Sequence, residues 1–278
     1  MHVVIGADGM LGAAWMNLLA HRGIPHRAAL YPVIDLSEPA TIAAALDVEP
    51  ADVVINCAAY TDVDGAEADE AAANLVNGTG VGHLVDACDE RGIPLIHYST
   101  DYVFDGRASA PYAIDHPIDP VNAYGRSKRL GEEAVLASDG AHLMIRTSWL
   151  YAPWGKNFVR TIAGLAKSRP SLRVVDDQRG RPTSAEHLAE LSLALYEGGA
   201  RGVYHGTDGG ECTWFGFARA IAARVNPACV VEPCTTAEFP RPAVRPAYSV
   251  LDLSGTEERI GPRAPWTEHL ASVLDRLV

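Results

Sequence analysis

Short apolar runs alternate with longer amphipathic ones up to about residue 208, and this rhythm limits the fold more than any other feature. The runs at 2–6 (HVVIG), 52–59 (DVVINCAA), 94–100 (PLIHYST), 142–149 (HLMIRTSW), 172–177 (LRVVDD) and 202–207 (GVYHGT) are rich in Val and Ile and nearly continuous. Parallel strands buried on both faces read this way, whereas half-exposed strands alternate. Between them, 11–22, 38–48, 68–90, 124–138, 157–168 and 184–198 read as helices. The order predicts an α/β fold with a doubly wound parallel sheet. After residue 208 the rhythm loosens, and CTTAEFPRPAVRPAYS (234–249) is Pro-rich and loop-like. A smaller C-terminal lobe of loops and short helices is expected there.

The chain has 278 residues, 48% hydrophobic and 21% charged, enough for a sizeable core. Its formal charge of −12 argues against general binding to nucleic acid or to an anionic membrane. No apolar run approaches the ~20 residues of a membrane span. MHVVIGADGM lacks a basic stretch leading into an apolar one, so no signal peptide is read there. Cys57, Cys88, Cys212, Cys229 and Cys234 are scattered without a C-x-x-C pair, and reduced thiols in a cytoplasmic protein are expected.

VVIGADGMLG sets Gly6, Gly9 and Gly12 directly after the first strand and at the opening of a helix. Glycines there permit a tight turn and let backbone N–H groups approach a pyrophosphate at the positive end of the helix. The strand–glycine–helix context makes this a dinucleotide site rather than a plain glycine turn. Residues 1–150 are therefore read as a dinucleotide-binding domain. Residues 151–278 are read mainly as a substrate-binding lobe, with strand and helix 172–198 returning to the first domain. The second strand, HRAALYP (26–32), ends without the acidic residue that usually holds a ribose 2′-hydroxyl; Asp35 comes later, and Arg27 lies nearby. NADPH is the expected cofactor, with NADH tolerated.

Lys128 is one of three lysines in a chain that otherwise uses arginine, and it follows Tyr124 by four residues. Both side chains then share one helix face. A tyrosine pKa near 10 suits neutral-pH acid–base work poorly, and an adjacent ammonium lowers it. A compact three-donor cation also suits a ribose, where an arginine fork does not. Ser99 and Thr100 in STDYVFDG end the fourth strand, and NCAAYTDVDGAE (56–67), which begins with Cys57, Ala58 and Ala59 after Asn56, ends the third. Carboxyl ends of such strands hold ligands.

These stretches, with PYAIDHPIDPVNAYGRSKRLGE, RTSWLYAPWGKNFV, VVDDQRGRPT and RPAYSVLD, cover the chain from residue 1 to about 252. In combination they resemble the extended short-chain dehydrogenase/reductases, and among them the dTDP-4-dehydrorhamnose reductases. The resemblance implies NAD(P)H-dependent reduction of the C4 keto group of a nucleotide-linked 4-keto-6-deoxy sugar. It implies that Gly9, Met10 and Leu11 contact the pyrophosphate and that Asp35 and Leu36 lie near the adenine. Ala59, Tyr60 and Thr61 would line the nicotinamide side, with Thr61 reaching toward substrate, and Tyr98 would sit beside the cofactor. Thr100 and Asp101, with Tyr102, would touch the sugar, and Trp149 would be a further substrate contact. Tyr124 would be the proton donor and Lys128 its partner.

Some members of the family carry a glutamate two residues beyond the last glycine, used in a metal-linked dimer. Ala14 stands there in this chain, so neither that metal nor that dimer is carried over, and the question of a homodimer stays open. No two of the ten histidines form an H-x-x-x-H pair, so no metal is expected, and His187 and His205 are read as isolated structural residues. Trp214, Phe215 and Phe217 are read as core. The Asp-Glu pair of the related dehydratases is missing, because Tyr102 follows Asp101, and the serine run of the epimerases is missing too. A related keto-sugar reductase of secondary metabolism and a non-catalytic regulatory subunit remain as alternatives. Arginines in RGRPT (179–183) and PRPAVRPAYS (240–249) are expected to meet the nucleotide's phosphates.

Overall fold

The computed structural model describes residues 1–277. The first half runs β1 (His2–Ile5), α1 (Met10–His21), β2 (His26–Ala29), α2 (Pro39–Leu46), β3 (Val53–Asn56), α3 (Val63–Ala68), α4 (Glu70–Asn74), α5 (Gly80–Asp89), β4 (Leu95–Thr100), α6 (Ala123–Ala137) and β5 (Leu143–Thr147). The second runs β6 (Leu150–Tyr151), α7 (Phe158–Ser168), β7 (Ser171–Val175), β8 (Arg179–Gly180), β9 (Thr183–Ser184), α8 (Ala185–Glu197), β10 (Gly202–His205), β11 (Cys212–Thr213), α9 (Trp214–Val225), β12 (Val230–Cys234), α10 (Ser254–Ile260) and α11 (Trp266–Asp275).

Six strands form one parallel sheet in the order β10-β5-β4-β3-β1-β2. Strands β3 and β4 are buried at every residue, which explains their unbroken apolar runs. One face packs Val4, Ile55 and Ile145 against Trp15 and Leu19 of α1 and Leu188 and Leu191 of α8. The other packs Val3, Val54 and Met144 against Ile42, Leu84 and Val135 of α2, α5 and α6. Each fully buried aliphatic side chain contributes roughly 1.5–3 kcal/mol. The chain steps from β1 outward to β2 and then returns to β3 on the opposite side. The carboxyl ends of β1 and β3 therefore flank a crevice at a point where the winding reverses, the usual ligand position in open α/β sheets.

A third core, built from Tyr151, Val159, Ile162, Leu172, Phe217, Ile221 and Leu270, belongs to the C-terminal lobe. Here the structure corrects the reading of 172–198. Strand β7 pairs with β12 in a separate two-stranded sheet and contributes Leu172 and Val174 to this third core. Helix α8 alone packs on the first domain, through the core it shares with α1.

The single helix expected over 68–90 is broken. Asp62 and Asp69 each cap a new N-terminus by accepting from the amides of Gly65 and Ala72, and a π-helical turn spans Leu75–Thr79. Such turns cost hydrogen-bond geometry and tend to mark functional positions. This one presents buried Asn77, whose amide donates to the Tyr60 carbonyl (3.0 Å) and the Ser127 hydroxyl (2.9 Å) while its oxygen accepts from the Tyr60 N–H (2.9 Å).

Candidate active site

A cleft of about 1020 Å³ follows the carboxyl ends of β1, β3, β4 and β5. At its β1 end the chain turns at Gly6, whose φ of +69° suits glycine, and a Cβ there would lie 2.8 Å from the Ala58 nitrogen. Gly12 sits beneath the turn, where a Cβ would come within 2.1 Å of the Gly6 carbonyl oxygen. Helix α1 has Gly9 at its N-cap and no side-chain cap, whereas α6, α7 and α9 are capped by Asn122, Asn157 and Thr213. The first-turn amides of α1 are thus left free for an anion. Side chains on this glycine turn would fill the cradle, so the residues present fit a dinucleotide pyrophosphate.

Gly6, Gly9, Met10, Leu11, Asp35, Leu36, Cys57, Ala58, Ala59, Thr61, Tyr98, Thr100, Asp101, Tyr102, Tyr124, Lys128 and Trp149 all line the cleft. Two predicted contacts do not. Gly12 acts from below, as the close packing that lets the turn form. Tyr60, like Tyr124, packs against Ala66, Ala73 and Ala123, and its backbone is fixed by Asn77.

Asn122 starts α6 by accepting from the Gly125 amide (2.8 Å), which sets Tyr124 and Lys128 in the first turns. The Lys128 ammonium is buried and donates to the Tyr98 carbonyl (2.6 Å). Burial brings its pKa down to about 8, partly opposed by the Glu132 carboxylate. Tyr124 moves opposite to expectation: burial and the nearby Asp101 carboxylate push its pKa up to about 12, with contact from Thr100 acting the other way. The expected lowering by Lys128 is not seen, because the ammonium is turned to the Tyr98 carbonyl. A phenol at about 12 holds its proton, which a donor requires and a base does not.

Thr100 donates to Asp101 (3.0 Å) and accepts from the Tyr102 amide (3.2 Å). Asp101 is buried with one carboxylate oxygen unpartnered, and burial raises its pKa to about 7 against hydrogen bonds from Ser249 and Thr100. The Tyr102 ring meets Tyr124 edge-on at 5.8 Å. The Tyr98 hydroxyl accepts from the Trp15 indole (2.8 Å), so that side chain is anchored in the core.

Sequence reasoning missed part of the cleft wall. Trp214 packs against the third core as expected, but it also lines the cleft and stacks on Trp149 with centroids 3.6 Å apart. Lys156, another of the three lysines, lines it beside Gly155 and Asn157. Thr147 and Ser148 do so at the end of β5, a position the strand-end rule would have flagged. The loop arginines are largely committed elsewhere: Arg179 pairs with Glu211 (2.9 Å), and Arg241 and Arg245 both clasp Asp64, the latter at 2.9 Å. Arg27 donates to the Ala45 carbonyl at the end of α2 rather than facing a ribose.

Known proteins match this chain over its whole length. A model described as the RmlD substrate binding domain matches residues 1–278. The chain belongs to this family. A dTDP-4-dehydrorhamnose reductase of Burkholderia thailandensis is 44% identical over 280 residues, covering 95% of this chain and 94% of that protein. The crystal structure of a dTDP-4-dehydrorhamnose reductase from Clostridium acetobutylicum superposes with a TM-score of 0.95 at 36% identity, over 100% of this chain and 99% of that one. The Bacillus anthracis dTDP-4-dehydrorhamnose reductase, solved in complex with NADP, superposes with a TM-score of 0.94 at 32% identity, over 98% of each chain. No helix among the described residues is long and apolar enough to cross a membrane. All five cysteines are free thiols.

Proposed function

We propose that this protein is an NADPH-dependent reductase of the C4 keto group of a dTDP-linked 4-keto-6-deoxy sugar, as in dTDP-4-dehydrorhamnose reduction. The observation that carries the reading is the half-buried Tyr124 and buried Lys128 on α6, lining with Thr100 the same cleft that begins at the uncapped end of α1. Resemblance to the reductases over nearly the full chain supports the sugar and the cofactor. Free thiols support a cytoplasmic location.

NADPH bound there supplies the hydride that the sugar's C4 accepts. Gly6, Gly9, Met10 and Leu11 hold its pyrophosphate through backbone amides, with Gly12 keeping the turn closed from beneath, while Asp35 and Leu36 flank the adenine. Cys57, Ala58, Ala59 and the backbone of Tyr98 form the wall beside its nicotinamide half, with Tyr60 bracing the loop from behind. Lys128 donates to its ribose and keeps Tyr124 in place. As C4 becomes an alkoxide, Tyr124 hands over its phenolic proton, and the Thr100 hydroxyl bonds the same oxygen. Positioned general-acid transfer of this kind is worth ~10²–10⁴-fold. Thr61, Asp101 and Tyr102 orient the sugar hydroxyls. Trp149 offers an apolar wall to the ring and methyl group, and Trp214 backs it.

Remote contacts to the nucleotide raise kcat as well as affinity when they orient the keto carbon. The test compares the free 4-keto-6-deoxy sugar, its phosphate and its dTDP conjugate by NADPH absorbance, with product NMR. The dTDP conjugate should be the good substrate and the free sugar a poor one. Comparable kcat/KM for all three would point instead to a general carbonyl reductase on this fold. No turnover, with NADPH binding intact, would favour a regulatory subunit.

A further inference from the structure

Away from the cleft, three side chains from separate elements meet around one carboxylate. Asp208, fully buried in the loop after β10, accepts from His187 Nδ1 of α8 at 2.5 Å through its Oδ1. His269 of α11 brings its Nε2 to 3.9 Å from the same oxygen. The two imidazoles stack 4.2 Å apart and 16° from parallel. One ligand-capable atom from each of the three residues lies within 4.8 Å of the others. None of the three lines the cofactor cleft.

A His–Asp hydrogen bond alone is an ordinary structural device. The second imidazole is what such a device leaves unexplained. His269 Nε2 is buried with no hydrogen-bond partner, a cost that an apolar residue of similar size would avoid. Neutral imidazole is the form that binds metals. The other carboxylate oxygen is already fixed by the Ser184 amide (3.1 Å) and the Tyr151 hydroxyl (3.4 Å), as outer partners fix a ligating carboxylate. The cluster opens on a cavity of about 360 Å³ that also carries Glu190 and Ser272, with room for water.

We propose that His187, Asp208 and His269 form a binding site for a divalent transition-metal ion of the zinc class, with an open coordination position toward this cavity. Two imidazoles and one carboxylate select such an ion over magnesium or calcium, which prefer all-oxygen shells. Ligand distances of ~2.0–2.2 Å require nitrogen–oxygen separations of roughly 3 Å, so His187 retreats slightly and His269 closes in. The ion takes the place of the His187 Nδ1 proton, which moves to Nε2. The ion then ties α8, the loop after β10 and α11 together.

The test uses the whole chain, stripped with chelator and dialysed against Zn²⁺ or Co²⁺. Wild type should retain one ion per chain, raise its Tm with Zn²⁺, and show cobalt d–d bands without thiolate charge transfer. His187→Gln and His269→Gln, checked for folding by circular dichroism, should each weaken binding by ~100-fold or more, a loss that even an outer partner can cause. Should either variant fail to fold, zinc-edge X-ray absorption on wild type decides: two imidazole nitrogens and one carboxylate oxygen are expected. A sulfur ligand, unchanged binding in both folded variants, or no ion retained at all would overturn the site.

Discussion

The indole of Trp149 lies flat on that of Trp214, with centroids 3.6 Å apart and planes 10° from parallel. Among the described residues Trp149 is the only non-glycine residue with positive φ, at 46°. Such a backbone costs of order 1–3 kcal/mol and persists only where packing over-determines it. Gly180 completes the clamp from another side, since a Cβ there would lie 2.6 Å from the Trp149 ring. The indole is thus held between a stacked partner and a residue with no side chain.

Gly180→Ala should therefore push the Trp149 indole out of register with Trp214. Misplacement by about 1 Å can cost ~10²-fold, so kcat/KM for the nucleotide sugar should fall roughly 10–100-fold. NADPH affinity should stay the same, because the glycine turn is untouched. Trp214→Ala should act in the same direction, and Trp214→Phe more mildly. Steady-state kinetics with a fluorescence Kd for NADPH checks this. A variant of Gly180 with wild-type KM and kcat would show that the clamp does not position substrate.

Tyr124→Phe removes the phenolic proton and keeps the ring and its edge-on contact with Tyr102. A fall in kcat of ~10²–10⁴-fold with nearly unchanged NADPH affinity is expected. Lys128→Ala should damage both, since its proposed role covers the ribose as well as Tyr124. Equal, mild effects from the two substitutions would mean that the pair is incidental.

Lys128 also sets a pH dependence. Its pKa in the fold is about 8, against ~10.4 for a free lysine. The side chain is charged below about pH 8 and neutral above it. NADPH affinity should be flat at lower pH and weaken as pH rises through that value, and Lys128→Met should flatten the profile. Stability should move the other way. Between the folded and unfolded pKa values the unfolded chain binds more protons, so stability rises with pH across that window. Titrations of NADPH fluorescence from pH 6 to 10 would decide; an alkaline limb retained by the methionine variant would assign it to another group.

What was legible in the sequence was local. The glycine turn and the Tyr124–Lys128 spacing each lie within one turn or one helix face, where sequence distance and spatial distance agree. The Trp149–Trp214 stack joins residues 65 positions apart against the third core, and TWFGFARA carries only a helix-core pattern. The run at 172–177 resembled a central strand, yet β7 alternates exposed Ser171 and Arg173 with buried Leu172 and Val174, the signature of an outlying strand. The break at Asp69 was hidden in an alanine-rich, helical pattern, and the π turn over LVNGT answers a tertiary need, the seating of Asn77 against Tyr60 and Ser127. An H-x-x-x-H spacing lies on one helix face, whereas the proposed ligands His187, Asp208 and His269 converge from three elements.

Arg27 illustrates the same limit for cofactor choice. It is close in sequence to the end of β2, but its guanidinium is engaged by the Ala45 carbonyl. Arg27→Ala should leave the NADPH-to-NADH ratio of kcat/KM within about 2-fold, far less than the tenfold that 1.4 kcal/mol of lost binding would give. It should lower Tm, because the end of α2 loses its partner. A collapse of NADPH preference in this variant would restore Arg27 to the 2′-phosphate.

Glu132 and Arg146 form a bidentate pair, 2.8 Å on each arm, with side chains 0% and 3% exposed. The pair fastens α6, which carries Tyr124 and Lys128, to β5, which leads to Thr147 and Trp149. Removing one partner of a buried pair leaves an uncompensated charge and costs about 3–5 kcal/mol. Glu132→Gln should therefore destabilise the protein by roughly that amount, read from urea unfolding. It should also lower the Lys128 pKa further, since the Glu132 carboxylate raises it. The alkaline limb of NADPH affinity would then begin at lower pH. A Glu132→Met, Arg146→Met double variant separates the two effects. Apolar replacement of both partners should recover much of the stability, although the Ile114 carbonyl loses its Arg146 donor. The shifted limb should persist, because the carboxylate is still gone. A double variant with the wild-type limb would mean that Glu132 acts on Lys128 only through the position of α6.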